Sequence, residues 1–299
     1  MKFFIFIALL FPAHLTLAST QRIFVSNEHG NSVTVIDKKT HSVIKTIAVG
    51  KRPRGIGISP DGKEVYVAIS AENRIKIINP ETLEVERSFL SGNDPEAFAV
   101  HPNGNLYISN EEDAKASVFN PKTGKLVAEI EVGIEPEGVA ISPDGRSVIV
   151  TSESSNMLHI IDIPAHKIRS NILVGARPRS ACFSPDGRLA YATSEISGEI
   201  KKIDVVSGTI LRKNALTTDS AKPKDIVTNR DGSLVYVAGG RANRVFVLDA
   251  ENLEIVKVIP VGKRVWGLAL SSDGNTLYTT DGADSQVSVI DTKTNTRTA

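Results

Sequence analysis

Between residues 50 and 70 the chain reads GKRPRGIGISPDGKEVYVAIS, two alternating apolar runs hinged on a polar turn. Ile56 and Ile58 alternate with Gly55 and Gly57 before the hinge, and Val65-Tyr66-Val67-Ala68 follows it. Period-two alternation rich in β-branched and aromatic residues predicts a hairpin. Pro60 presets φ for the second position of a type I turn, Asp61 can bond its own backbone, and Gly62 closes the turn. RIKIIN at 74–79 and VERSFL at 85–90 add two more strands on either side of Asn79-Pro80-Glu81-Thr82. The predicted unit is four antiparallel strands.

The unit repeats. Its turn glycine returns as Gly62, Gly104, Gly145, Gly187, Gly232 and Gly274, at intervals of 42, 41, 42, 45 and 42 residues. The residue ending the third strand returns as Asp37, Asn79, Asn120, Asp162, Asp204, Asp249 and Asp291, which makes seven units. Four strands in about 40 residues is the spacing of a β-propeller blade. The fold expected is therefore all-β, a seven-bladed propeller in one domain over residues 19–299. No linker or composition shift divides it.

The seam is expected to be irregular. The first repeat begins at Arg22 with a second strand, and the fourth strand of the seventh repeat would start near Arg297, two residues before Ala299. Blades one and seven are thus expected to be incomplete, with the inner edge around Phe24 and Val25 less covered than its counterparts. The alternative is that the sequence is a truncated product.

The first eighteen residues differ in kind. MKFFIFIALLFPAHLTLA carries one Lys, an apolar run broken by Pro12 and His14, and a small residue at Ala18. This pattern predicts a secretory signal at 1–18 and a periplasmic or secreted protein. Cys182 is the one cysteine, so no internal disulfide or thiolate metal cluster is expected, and none stands near the cleavage point to carry a lipid anchor. A net charge of +1 with mixed signs and no basic tract gives no reason to expect a nucleic acid or a membrane surface as partner. A monomer is expected.

In an up-and-down blade, the loop entering the first strand and the loop between the second and third share one face. The Asp-Gly turns lie on the other. On the entry face the residues flanking the entry proline are Arg52 and Arg54, Asp94 and Glu96, Glu135 and Glu137, Arg177 and Arg179, Lys222 and Lys224. The seventh unit has Arg264 and Trp266 around Val265. Nine residues before each third-strand terminus stand Glu28, Ser70, Glu111, Glu153, Glu195, Gly240 and Gly282. These charges predict a funnel mouth that takes a small anion or an acidic partner on its basic arc, with Trp266 as a stacking platform. On this reading, Arg54→Ala and Arg179→Ala abolish binding and leave stability little changed. The alternative is that the charges neutralise one another across blades.

Along the innermost strands small residues alternate with larger ones, Gly55/Gly57, Ala97/Ala99, Gly138/Ala140 and Ser180/Cys182, as converging strands require. Cys182 reads as a small hydrophobe, and Asp225 as a buried acid held by structural hydrogen bonds. No catalytic or metal-ligating residue is assigned. The histidines form no paired motif, and His101, before a Pro-Asn-Gly turn, is expected at the rim. Trp266 is the lone tryptophan, so the chain has no tryptophan-rich repeat.

The segment RIFVSNEHGNSVTVIDKKTHSVIKTIAVGKRPRGIGISPDGKEVYVA resembles the YVTN-type β-propeller repeat, and the likeness extends over residues 22–299. Within it VGIEPEGVAISPDG, TSESSNM, VGARPR and VGKRVWGLA are similar to the propellers associated with pyrroloquinoline quinone (PQQ)-dependent alcohol catabolism in Gram-negative bacteria. The resemblance implies a periplasmic accessory to quinoprotein dehydrogenases, with PQQ or another small anion as a ligand and no built-in quinone cofactor, and supplies no reaction. That family normally continues through the last strand and adds a closing one. A second reading is a lactonase-like hydrolase, because some propellers of similar repeat act on sugar lactones. Its acid–base or metal chemistry would fall to Glu28, Glu111, Glu153 and Glu195.

Overall fold

A computed structural model describes residues 21–216 and 221–299. The signal proposed at 1–18 lies outside the described residues. Successive antiparallel strands form seven sheets around a common axis. Blade two, for instance, consists of Pro53–Ile58, Val65–Ile69, Arg74–Asn79 and Glu84–Leu90 in that spatial order. The seven-bladed propeller expected from the glycine spacing is the fold observed. A single 3-10 turn, Ser70–Glu72, is the one helical element among the described residues.

The layers follow from composition. Second strands such as Val65–Ile69 and Leu106–Asn110 are buried at every position, covered on both faces by adjacent blades, and their sequences are almost continuously apolar or small. Fourth strands such as Glu84–Leu90 line the outside and are mostly exposed. Core residues interlock between blades, as where Tyr191 and Ile200 of blade five pack with Val235, Val237 and Phe246 of blade six. Inner strands approach closely. A Cβ on Gly138 would lie 2.5 Å from the Arg179 carbonyl oxygen and 2.8 Å from Ser180 Cα. Only glycine fits at that crossing.

Blades are also tied by polar groups reaching from one to the next. Tyr107 Oη lies 3.0 Å from His166 Nε2. Tyr191 donates to the Ala250 carbonyl at 3.1 Å, and Tyr236 to Asn295 at 2.8 Å. In each pair a second-strand tyrosine meets the outer turn of the following blade. Asp225 is held as expected: its carboxylate accepts from Ser180 Oγ (2.7 Å), Ile226 N (2.9 Å) and Leu268 N (2.8 Å), which joins blades five, six and seven. Cys182 is partly buried against the apolar cluster between blades five and six. His101 corrects its expectation. It is buried rather than at the rim, with Nε2 2.8 Å from the Gly145 carbonyl oxygen and Nδ1 accepting from Asn103 N at 3.1 Å.

The seam is irregular in the way expected. Among the described residues blade one has three strands, Arg22–Asn27, Ser32–Asp37 and Val43–Ala48. Its inner strand is partly exposed at all six positions, unlike the buried second strands elsewhere. The last strand of blade seven is the two-residue Thr296–Arg297.

Candidate functional site

The entry loops of blades two, three, four, five and seven make a sharp turn before the inner strand. Arg52, Asp94, Glu135, Arg177 and Arg264 all have positive φ, between 47° and 60°. L-residues adopt this conformation only when surrounding bonds hold it. Here the bonds repeat. The carbonyl of each of these residues accepts from the backbone N–H that follows the second strand: Ser70 on Arg52 (3.0 Å), Glu111 on Asp94 (2.9 Å), Glu153 on Glu135 (2.8 Å), Glu195 on Arg177 (2.8 Å) and Gly282 on Arg264 (3.2 Å). In four loops the entry residue also donates its N–H to an asparagine of the preceding blade: Arg52 to Asn31, Asp94 to Asn73, Arg177 to Asn156 and Arg264 to Asn243, at 2.8–3.1 Å. These asparagines stand 21 residues upstream of the residue they hold, a period visible in the sequence once the entry residues are known. The inner strand then shifts register, between Pro53 and Ile56 in blade two and equivalently in blades three, four, five and seven. Such a bulge re-aims side chains, here those of residues 54, 96, 137, 179 and 266.

The thirteen candidate residues form one connected cluster. Arg52 meets Glu28 (3.3 Å), Asp94 (3.1 Å) and Glu96 (3.0 Å). Arg54 meets Glu28 (3.1 Å), Glu96 and Glu137 (3.3 Å). Glu137 also accepts Arg179 Nη1 at 2.9 Å, so one carboxylate of blade four joins arginines of blades two and five. Arg179 continues to Glu153 and to Glu195 (2.6 Å), and Arg177 pairs with Glu153 at 2.6 Å. Lys224 Nζ lies 2.5 Å from Glu195 and 4.1 Å from the centroid of Trp266. Arg264 and Arg179 each lie 5.4 Å from the same ring. Glu111 joins through its carboxylate, within 4.8 Å of those of Asp94 and Glu96.

The arginines thus differ from the expected free basic arc. Side chains of Arg54 and Arg179 are 14% and 10% exposed, and each bridges three carboxylates. Removing either would take a guanidinium from three carboxylates of one mostly buried network, so the expectation that Arg54→Ala and Arg179→Ala leave stability little changed does not fit the geometry. Mutual neutralisation describes blades two to five. Arg264 forms no ion pair among the described residues.

The cluster shifts its own protonation. Burial and the charge of Glu137 raise Glu96 to about 9 and Glu153 to about 7. Burial, Glu137 and Asp94 raise Glu111 as well. Burial would also raise Glu28 and Glu195, but the arginines around Glu28, and Lys224 with Arg179 around Glu195, hold both below the ordinary glutamate value. Burial, with the positive charge of Arg179 adding to it, lowers Lys224 to about 8 against the pull of Glu195.

One arrangement elsewhere has the outline of a nucleophilic triad. Ser152 Oγ lies 3.0 Å from His159 Nε2, and His159 Nδ1 lies 2.6 Å from Asn171 Oδ1. His159 Nε2 already accepts the Gly133 N–H at 3.0 Å, Ser152 is fully buried and His159 is 3% exposed. A base with its lone pair engaged and a nucleophile without access is a structural tie.

Comparison with known proteins agrees with the fold. The family profile of YncE-like β-propellers matches residues 7–112, and that of the seven-bladed lactonase propellers matches residues 166–298. YncE of Escherichia coli O157:H7, itself of uncharacterised role, is 36% identical over 28% of this chain and 24% of its own length. Antigen Lp49 of Leptospira interrogans is 27% identical over 33% of this chain and 25% of its own. The chain therefore spans about a quarter of the length of the curated relatives it matches. Hydrazine synthase of Kuenenia stuttgartiensis superposes with a TM-score of 0.83 over 91% of this chain and 92% of the solved chain, at 21% identity, a likeness of fold. The chain is a seven-bladed β-propeller, similar over its N-terminal part to the YncE-like propellers and over its C-terminal part to the lactonase propellers.

Proposed function

We propose that this propeller is a non-catalytic binding module of the periplasm or cell exterior, presenting its entry face to a small carboxylate-bearing ligand or to an acidic patch of a protein partner. The observation that carries this reading is the contrast within the funnel. The arginines of blades two and five are engaged by glutamates, whereas Trp266 and Arg264 of blade seven stand beside Lys224 with cationic capacity left over. A flat anion can stack on the indole while its carboxylate meets Arg264. An accessory role beside quinoprotein alcohol oxidation follows from the sequence resemblance, with PQQ, a flat polycarboxylate, as the first ligand to try. Trp266 is the only tryptophan, so intrinsic fluorescence reports directly on the site. Saturable quenching by PQQ that weakens at least tenfold in Arg264→Ala is expected. Quenching absent, or equal in the variant, overturns the reading for this ligand.

A lactonase-like hydrolase is the second reading, favoured by the profile match over residues 166–298 and by Glu153, whose value near 7 suits a general base. Hydrolysis of a sugar lactone that Glu153→Gln abolishes would establish it.

A further inference from the structure

One position past the entry proline, or past Val265 in its place, stand Arg54, Glu96, Glu137, Arg179, Lys224 and Trp266. Lys224 is the one primary amine of that series. A guanidinium there would serve an ion pair equally well, but only an amine, once neutral, can attack a carbonyl carbon. Its backbone is held from two blades: the Lys224 N–H donates to the Ala238 carbonyl at 2.9 Å, and its own carbonyl accepts from Thr193 Oγ1 at 2.7 Å. The amine is buried between contrasting neighbours, Glu195 Oε1 at 2.5 Å and the Trp266 ring, whose centroid is 4.1 Å away. Among the described residues Glu195 is its one ion-pair partner. Arg179 and Arg264 border the same ring, each 5.4 Å from its centroid. A lysine desolvated on an apolar surface and set beside other cations is activated for addition to carbonyls.

The same sector has room for a small molecule. Where blades one, three, four and five carry Glu28, Glu111, Glu153 and Glu195, blade seven carries Gly282. Its backbone is not left-handed, so nothing in the chain geometry demands glycine there. Chain neighbours aside, a Cβ on Gly282 would meet only the Arg264 carbonyl oxygen, at 3.8 Å. Trp266 is partly exposed and Arg264 exposed beside that opening. From this geometry we infer that Lys224 is a covalent attachment site for a small 2-oxo acid, its amine condensing reversibly with the keto carbon while the acid's carboxylate meets Arg264. The inference rests on the reading of this sector as a carboxylate site and adds a bond to it. In the first step Glu195 takes a proton from the Lys224 ammonium. The free amine then adds to the keto carbon, and an N–H proton passes to the oxygen to give a carbinolamine. Glu195 returns its proton to that hydroxyl, which leaves as water, and a protonated imine remains to pair with the carboxylate. No oxidant or reductant is consumed, and hydrolysis reverses the attachment.

The test treats the full chain with pyruvate and with sodium cyanoborohydride, which reduces an imine to a stable secondary amine. One carboxyethyl group per chain, mapped to Lys224 by peptide mass spectrometry, is expected, at least tenfold ahead of the exposed Lys213 and Lys263. Burial and Arg179 lower Lys224 to about 8. Relative to Nα-acetyl-lysine in the same tube, its labelling should therefore fall off above about pH 8, because the free amino acid gains neutral amine up to about 10.4. Lys224→Arg keeps the charge and is expected to remove the label. Should that variant fail to fold, Arg264→Ala is expected to lower capture at Lys224 about tenfold. Labelling that is absent, spread evenly over the exposed lysines, or undiminished in both variants overturns the inference. Oxamate, in which an amide replaces the methyl ketone, separates the two readings. A saturable change in Trp266 fluorescence with oxamate, but no adduct with pyruvate, sinks the imine alone. The absence of both sinks the carboxylate site with it.

Discussion

On the turn face, Ser59 Oγ accepts the N–H groups of Lys63 and Glu64, at 3.1 and 3.0 Å, and donates to Asp61 at 2.7 Å, all within six residues. On the entry face Arg54 reaches Glu137, 83 residues away. The same hairpin contributes to both. Ser142 with Asp144, Ser184 with Asp186, and Ser271 with Asp273 repeat the local arrangement. These four turns close their side-chain chemistry within the blade, and the exception is blade three, whose His101 reaches the turn of blade four at Gly145. The entry face does the reverse, and its ion pairs join residues of different blades. Turn polarity therefore supports a blade, whereas entry polarity registers blades against one another and holds whatever recognition the disc performs.

Arg179→Ala gives the strongest test of that contrast. It strips a shared partner from Glu137, Glu153 and Glu195, and a loss of about 3–5 kcal/mol in urea unfolding is expected for breaking such a buried network. A loss below about 1 kcal/mol would mean that the entry face is held no more tightly than a solvated rim. The pH dependence comes next. Burial and Glu137 raise Glu153 from 4.5 to about 7, so the folded protein keeps a proton that the unfolded chain has released. Its contribution to stability therefore falls as pH rises from about 4.5 to about 7. Comparing the parent with Glu153→Gln should isolate a fall of roughly 1–3 kcal/mol across that window. Parallel pH profiles for the two proteins would contradict it. Ser59→Ala has the smallest expected effect, about 1 kcal/mol, for the loss of one turn's local bonds. A cost equal to that of Arg179→Ala would erase the distinction between the faces.

Much of this was legible in the sequence because it is local and periodic. The Ser-Pro-Asp-Gly turns, the glycine interval and the small-large alternation of Gly55, Ile56, Gly57 and Ile58 each express a constraint that acts within one blade. The membership of the entry cluster was also legible, since a fixed offset from each third strand selects Glu28, Glu111, Glu153 and Glu195. Its pairing was not. Nothing in the order of residues says that Glu137 lies between Arg54 and Arg179, because that depends on the twist between blades. The outcome reversed the sense of the arginines, from exposed receptors to internal counter-charges. Asn31, Asn73, Asn156 and Asn243 are not legible, because their partners are backbone N–H groups, which carry no residue-type signal. The turn that follows His101 points to the rim, while its ring turns inward toward Gly145.

The cross-blade tyrosines give the ring a direction. Tyr107, Tyr191 and Tyr236 each lean on the outer turn of the blade that follows, at His166, Ala250 and Asn295, a constant stride of 59 residues. Every such blade is finished by its successor. Peeling the disc from its last blade strands a phenol that has lost its acceptor, Tyr236 first, while peeling from the first blade strands none of the three. A pulling experiment on the two ends would therefore meet two different sequences of rupture, as a ratchet resists one sense of rotation more than the other.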